Sequence, residues 1–141
     1  MNKPKVLFLC TGNSARSQMA EAFLRKYGGD KFEVFSAGFE PQGINPFTRT
    51  VMVEKDFDLA DQHSKSVQEY LGKMNFDYLI TVCNKAEQDC PIAFPGVRHR
   101  LFWPFEDPAA QQGLEKEKLE KFRQIRDQIE GRIKLWLQEQ P

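Results

Sequence analysis

An excess of charge of either sign is missing from this 141-residue sequence: Lys plus Arg and Asp plus Glu each number 20. Without a basic surplus or an acidic tail, nothing in bulk composition points to nucleic acid as a partner. Long apolar runs are missing too. About five apolar residues precede Cys10, too few for an export signal or a membrane span. Cysteine is scarce, at three residues. An odd count with no export signal argues against a disulfide framework and for reduced thiols in the cytoplasm. The only histidines are His63 and His99. No repeat or low-complexity tract stands out. The length suits one domain over residues 1–141, large enough to bury about two-thirds of the unfolded chain's surface. A monomer is the expectation.

What is present centres on Cys10-Thr-Gly-Asn-Ser-Ala-Arg16-Ser17. The apolar run Lys5–Cys10 reads as a buried strand. Ser17–Lys26 reads as a helix, with Met19, Phe23 and Tyr27 on one stripe beside Ala20 and Leu24. A thiol therefore stands where a strand gives way to a helix. Gly12 supplies an unusual backbone angle, and the loop amides are free to converge. Such a nest binds an oxyanion and lowers a thiol's pKa. Thr11, Gly12, Asn13, Ser14, Ala15 and Arg16 are the expected oxyanion-binding residues, with the planar Arg16 fork gripping two oxygens. Cys10 is the expected nucleophile. Ser17 can donate to its sulfur or simply cap the helix, and Asn13 can hold the loop's shape or be an ordinary turn residue. The bland alternative is a buried Cys ending a strand beside a surface Arg.

Further along, Phe32–Gly38 reads as a second strand. Asn45 suits an N-cap and Pro46 a first helical position, for a helix to about Lys55. Gln62–Glu69 reads as another short helix, with Ser66 and Glu69 at capping-box spacing. Asp77–Cys83 is a third strand and Val97–Trp103 a weaker fourth. A final helix, roughly Gln111–Gln138, aligns Leu119, Phe122, Ile125, Ile129, Ile133 and Trp136 toward a core. Alternating strands and helices predict an α/β fold: one four-stranded parallel sheet with helices on both faces. In such sheets ligands bind beyond the strands' carboxyl ends. Cys10, Cys83 and Asp107 then share one rim.

Cys83 and Cys90 bracket a segment that favours helix and stops at Pro91. If it is helical, the two thiols lie about 10 Å apart along its axis. A disulfide needs Cα atoms within about 7 Å, so pairing requires the turn to unwind. The residues are compatible with a redox relay on a mobile loop, with two unrelated cysteines, or with a zinc site helped by His63 and His99. The zinc spacing is poor.

Cys-x5-Arg followed by Ser, set between a strand and a helix, resembles the phosphatase loop of the low-molecular-weight tyrosine phosphatases. It is equally similar to their relatives, the thioredoxin-coupled arsenate reductases. The second resemblance extends over nearly the whole chain: Cys10–Ser14, Arg16–Glu21, Ser36–Gly38, the pair Cys83 and Cys90, and Asp107-Pro108. It implies a low-molecular-weight phosphatase-like fold and reduction of arsenate to arsenite. Cys10 attacks arsenate with Asp107 assisting, Cys83 then forms a disulfide with Cys10, and Cys90 takes it over as Cys83–Cys90. Thioredoxin is the implied reductant, and no cofactor is implied. Phosphate and sulfate are implied as arsenate analogues. The phosphatases imply the alternative, phosphomonoester hydrolysis by Cys10, Arg16 and Asp107, with Asp107 as general acid; otherwise Asp107 is a turn residue before proline. An aromatic residue usually follows the dipeptide in the phosphatases, whereas Ala109 and Ala110 stand here. Some relatives bind potassium through Asn, Glu, Ser and Asp. Asn13, Glu21 and Ser36 match three of these, but Lys65 or Ser66 replaces the Asp, so no metal is assigned.

Overall fold

The computed structural model describes residues 3–89 and 96–140; Cys90, the third expected thiol, lies outside them. Four parallel strands form one sheet in the order β2-β1-β3-β4: β1 Lys5–Cys10, β2 Glu33–Gly38, β3 Phe76–Thr81 and β4 Val97–Phe102. The central strand β1 is apolar on both faces because both are covered. Val6 and Phe8 point to one side, where α1 (Arg16–Gly28), α2 (Pro46–Val53) and α4 (Glu115–Glu139) supply Met19, Phe23, Met52, Phe122, Ile125, Ile129 and Ile133. Leu7 and Leu9 point to the other, where Val67, Tyr70, Leu71 and Met74 close over them. Each fully buried Leu, Ile or Phe contributes about 1.5–3 kcal/mol. Helical structure thus lies on both faces, though among the described residues one side carries only a 3-10 turn, Val67–Glu69.

The register sets Cys10 beside Gly38 and Leu9 beside Thr81. All four strands therefore end on one rim. The local signals work as expected at α2: Asn45 caps it, its side-chain oxygen accepting from the Phe47 N–H at 2.8 Å, with Pro46 in the first turn.

Several expectations need correction. Gln62–Glu69 is not a helix beyond its 3-10 turn. Residues 63–66 are extended against the Cys10 loop: Lys65 N–H donates to Asn13 Oδ1 (3.0 Å), and Lys65 O accepts from Gly38 N–H (2.9 Å). These tertiary bonds take the backbone groups that a helix would use. Ser66 Oγ caps the turn by accepting from Gln68 N–H. Strand β3 ends at Thr81, so Cys83 does not end it. Val82 N–H still reaches Leu9 O (3.0 Å), and the chain then turns into α3, Asn84–Asp89. The last helix begins four residues later than predicted, because Gly113 adopts a left-handed conformation (φ 118°) ahead of it. Tyr27 ends the α1 stripe 38% exposed, stacked on Phe23 and donating to Glu130 Oε2 at 2.6 Å.

Candidate active site

Between β1 and α1 the chain makes a tight loop whose carbonyls are all turned outward. Thr11 O accepts from Glu40 N–H, Gly12 O from Gln42 N–H, Ser14 O from Asn45 N–H and Ala15 O from Met19 N–H, at 2.8–3.0 Å. Asn13 O accepts from Gln18 Nε2 at 3.2 Å. In trans peptide units C=O and N–H point opposite ways. The loop's amides therefore face inward, and Asn13 N–H does so observably, donating to Cys10 Sγ at 3.2 Å. The left-handed residue is Asn13 (φ 48°), not Gly12. Asn tolerates this angle better than most residues. The loop can lie this close to β2 because of Gly38, where a Cβ would come within 2.6 Å of Thr11 O and 2.9 Å of Asn13 N.

Behind the loop, hydrogen bonds run in one fixed direction. Asn13 Oδ1 accepts from Lys65 N–H (3.0 Å) and Gln18 Nε2 (2.9 Å). Its Nδ2 therefore faces the other way, donating to Ser17 Oγ (2.8 Å) and Ser36 Oγ (3.0 Å). Ser36 Oγ in turn donates to Glu21 Oε1. Ser17 Oγ, already accepting from Asn13, has its proton available for Cys10 Sγ at 2.8 Å, and donates it when the sulfur is a thiolate, which can only accept. Asn13, Ser17 and Ser36 are all fully buried.

Cys10 itself is 3% exposed. Burial pushes its thiol up; the Ser17 hydrogen bond pulls it down, the Cys83 sulfur pushes it up again, and Arg16 lowers it. The balance lies above the ordinary thiol value. This corrects the expectation that the cradle alone lowers it: the donors favour the anion, but desolvation outweighs them.

Cys10, Cys83, Arg16 and Asp107 line one cavity of about 490 Å³. The Cys83 sulfur lies 3.7 Å from Thr11 Oγ1, and Ala86 N–H donates to it at 3.4 Å from the first turn of α3. Helix α3 is pinned to the sheet by Glu87, whose carboxylate accepts from Arg100 Nη2 at 3.1 Å and from Thr81 Oγ1. Arg16 donates to Phe105 O at 3.0 Å and approaches Asp107 Oδ2 at 3.9 Å. The Asp107 carboxylate also accepts from Ala109 N–H at 2.9 Å, capping a 3-10 turn, Pro108–Ala110. Gln42, Asn84, Lys85 and Phe105 line the cavity without having been singled out in the sequence. Asn84 and Lys85 carried a signal through their nearness to Cys83, and Phe105 through its nearness to Asp107; Gln42 carried none. Gln18, which anchors the Asn13 amide, was also missed.

The potassium candidates meet, but as a poor cation site. Asn13 turns Nδ2, not Oδ1, toward Ser36. Lys65 Nζ stands 3.7 Å from Glu21 Oε1, bringing a positive charge where a cation would need oxygen ligands. Among the described residues no group of three or more His, Cys, Asp or Glu gathers as a metal cluster. No helix among them is long and apolar enough to cross a membrane.

A profile for low molecular weight phosphotyrosine protein phosphatases matches residues 5–140. The chain belongs to that family. Within it, the chain is 46% identical over 135 residues to an arsenate reductase of Halalkalibacterium halodurans, covering 95% of each. Among solved structures it resembles an arsenate reductase in the phosphate binding state, at 30% identity and a TM-score of 0.81, covering 96% of this chain and 98% of that one. It also resembles a thioredoxin-dependent arsenate reductase of Corynebacterium glutamicum, at 30% identity and a TM-score of 0.75, covering 97% of this chain and 61% of that one. Membership of the low molecular weight phosphatase family accounts for the strand-loop-helix cradle.

Proposed function

We propose that the protein reduces arsenate to arsenite through a three-cysteine relay regenerated by thioredoxin. The observation that carries this reading is Cys83 in the same cavity as Cys10, with its sulfur against Thr11 of the oxyanion loop. Ester hydrolysis gives a second thiol there nothing to do.

Arsenate, a tetrahedral oxyanion, is held by the inward amides of Thr11–Arg16 and by the Arg16 guanidinium. Cys10 Sγ bonds to arsenic. One arsenate oxygen leaves as water, taking the thiol proton and a proton from Asp107. Cys83, as thiolate, then attacks Cys10 Sγ. The S–S bond forms as the S–As bond breaks, and that electron pair stays on arsenic, giving arsenite. Cys90 attacks Cys83 Sγ in turn, freeing the Cys10 thiolate and leaving Cys83–Cys90. This second exchange spans α3, so the helix unwinds for it. A thioredoxin dithiol reduces the final disulfide, and two electrons pass from thioredoxin to arsenic per turnover.

A second reading, phosphomonoester hydrolysis, is favoured by Arg16 and Asp107 standing together at the Cys10 cavity. It uses Asp107 as general acid and leaves Cys83 idle. Ala109 lines the mouth where an aromatic platform for phosphotyrosine would stand. The two readings separate in one assay: arsenate-dependent oxidation of reduced thioredoxin, followed beside hydrolysis of an aryl phosphate. We expect Cys83→Ser and Cys90→Ser each to abolish thioredoxin oxidation and to leave ester hydrolysis slow. Full arsenate turnover in both variants would overturn the relay.

A further inference from the structure

Lys65 is an unusual residue to find behind a nucleophile. It is 8% exposed, and lysine is almost never buried without a partner. Its ammonium donates to His63 O at 2.9 Å and stands 3.7 Å from Glu21 Oε1. Glu21 is itself 4% exposed, its other oxygen held by Arg25 Nη2. The charged groups that bear on Lys65 are Glu21 and Arg25 of α1 and Glu69 of the 3-10 turn.

We propose that Lys65 is a positioning residue: its ammonium stands in for a bound monovalent cation and holds the Glu21 carboxylate in place, so that the chain Glu21–Ser36–Asn13–Ser17 aims a hydroxyl proton at Cys10. A carboxylate only accepts, so Ser36 donates to it and is left to accept from Asn13 Nδ2. The second Nδ2 proton goes to Ser17, whose own proton is then donated to the sulfur when Cys10 is a thiolate, an acceptor only. Each link fixes the polarity of the next. Without the ammonium, Glu21 Oε1 loses the cation that stands 3.7 Å from it, and the first link of the chain is held less firmly. Lys65 holds the chain at its other end as well, since its backbone N–H donates to Asn13 Oδ1 at 3.0 Å. That backbone bond survives replacement of the side chain, so a variant isolates the ammonium.

The inference rests on Cys10 being the nucleophile, which the reductase and phosphatase readings share. Its test needs neither activity. The rate of Cys10 alkylation by iodoacetamide is followed by peptide mass at fixed pH, in potassium chloride and in choline chloride of equal ionic strength. We expect the unmodified protein to react at the same rate in both salts. Lys65→Met should react about tenfold more slowly in choline chloride, the scale of one lost charge-assisted hydrogen bond. Lys65→Arg, which keeps the charge, should recover most of the rate. A Lys65→Met rate equal to the unmodified protein's overturns the proposal, as does a Lys65→Arg rate as low as that of Lys65→Met. So does a threefold or greater dependence of the unmodified protein on potassium, a result that requires no variant to fold. Absence of arsenate turnover with the expected alkylation pattern would remove the reductase reading and leave this one standing.

Discussion

Burial pushes the Cys10 thiol up, and the Ser17 hydroxyl, donating across 2.8 Å, is the largest force pulling it down. The sign of the pH dependence follows. A raised thiol pKa keeps the neutral form at neutral pH, so alkylation of Cys10 should climb as pH rises through and above the ordinary thiol range. Ser17→Ala removes the donor and leaves desolvation less opposed. A hydrogen bond to a charged group contributes about 1.5–3 kcal/mol, and each pKa unit is about 1.4 kcal/mol. The alkylation midpoint of Ser17→Ala should therefore move up by about one to two pH units. An unmoved or lowered midpoint would show that Ser17 only shapes the loop. Arg16 acts differently, on the oxyanion. It is 14% exposed at the cavity, and its planar fork suits two oxygens in a way that a lysine ammonium cannot. Arg16→Lys should raise the KM for arsenate about tenfold or more while the Cys10 alkylation profile changes little.

At the scale of elements, the Cys10 loop depends on its neighbour β2 as much as on its own sequence. Gly38 is where the two meet, and a methyl group there would lie inside contact distance of Thr11 O and Asn13 N. Gly38→Ala should cost about 1–3 kcal/mol of stability, as overpacking does, and should also slow Cys10 alkylation because the loop must shift. Thermal unfolding and alkylation measured on the same sample check both. Unchanged values would mean that β2 yields instead. Strand β1 and the loop were legible in the sequence because an unbroken apolar run and a helix stripe flank one thiol and one arginine. The caps at Asn45 and Ser66 were legible too, since capping is local. The 62–69 segment was not: its capping-box spacing is genuine, but Lys65 and Gly38 bind it into the sheet edge. Nor was Gln18 legible, because its role depends on a contact 45 residues distant in the chain, to His63; Lys65 was legible only as a possible replacement for a cation ligand, not as the partner of Glu21, 44 residues away. The lowered Cys10 pKa failed for a related reason. A motif displays the donors around a sulfur but not how deeply the fold buries it.

At the scale of the whole molecule, the parallel sheet is what assembles the chemistry. Strands running the same way deliver their carboxyl ends to one rim, and four chain segments arrive there: the loop after β1, the loop after β2 with Gln42, the turn after β3 and the loop after β4. Cys10, Cys83 and Asp107 share a cavity because of this topology, although 73 and 24 residues of chain separate them in turn. Helix α4 packs Phe122, Ile125 and Ile129 into the core on one face of the sheet. Helix α3, short and pinned by Glu87, is the part that the proposed relay requires to open. The central claim is that the sulfur of Cys83 reaches that of Cys10 after arsenate has bound there. The direct measurement is disulfide mapping by mass spectrometry after one equivalent of arsenate is given to reduced Cys90→Ser, in which the relay stops at its first exchange. The account predicts a Cys10–Cys83 disulfide forming in step with one equivalent of arsenite. Arsenite released while those two cysteines remain unlinked would contradict it.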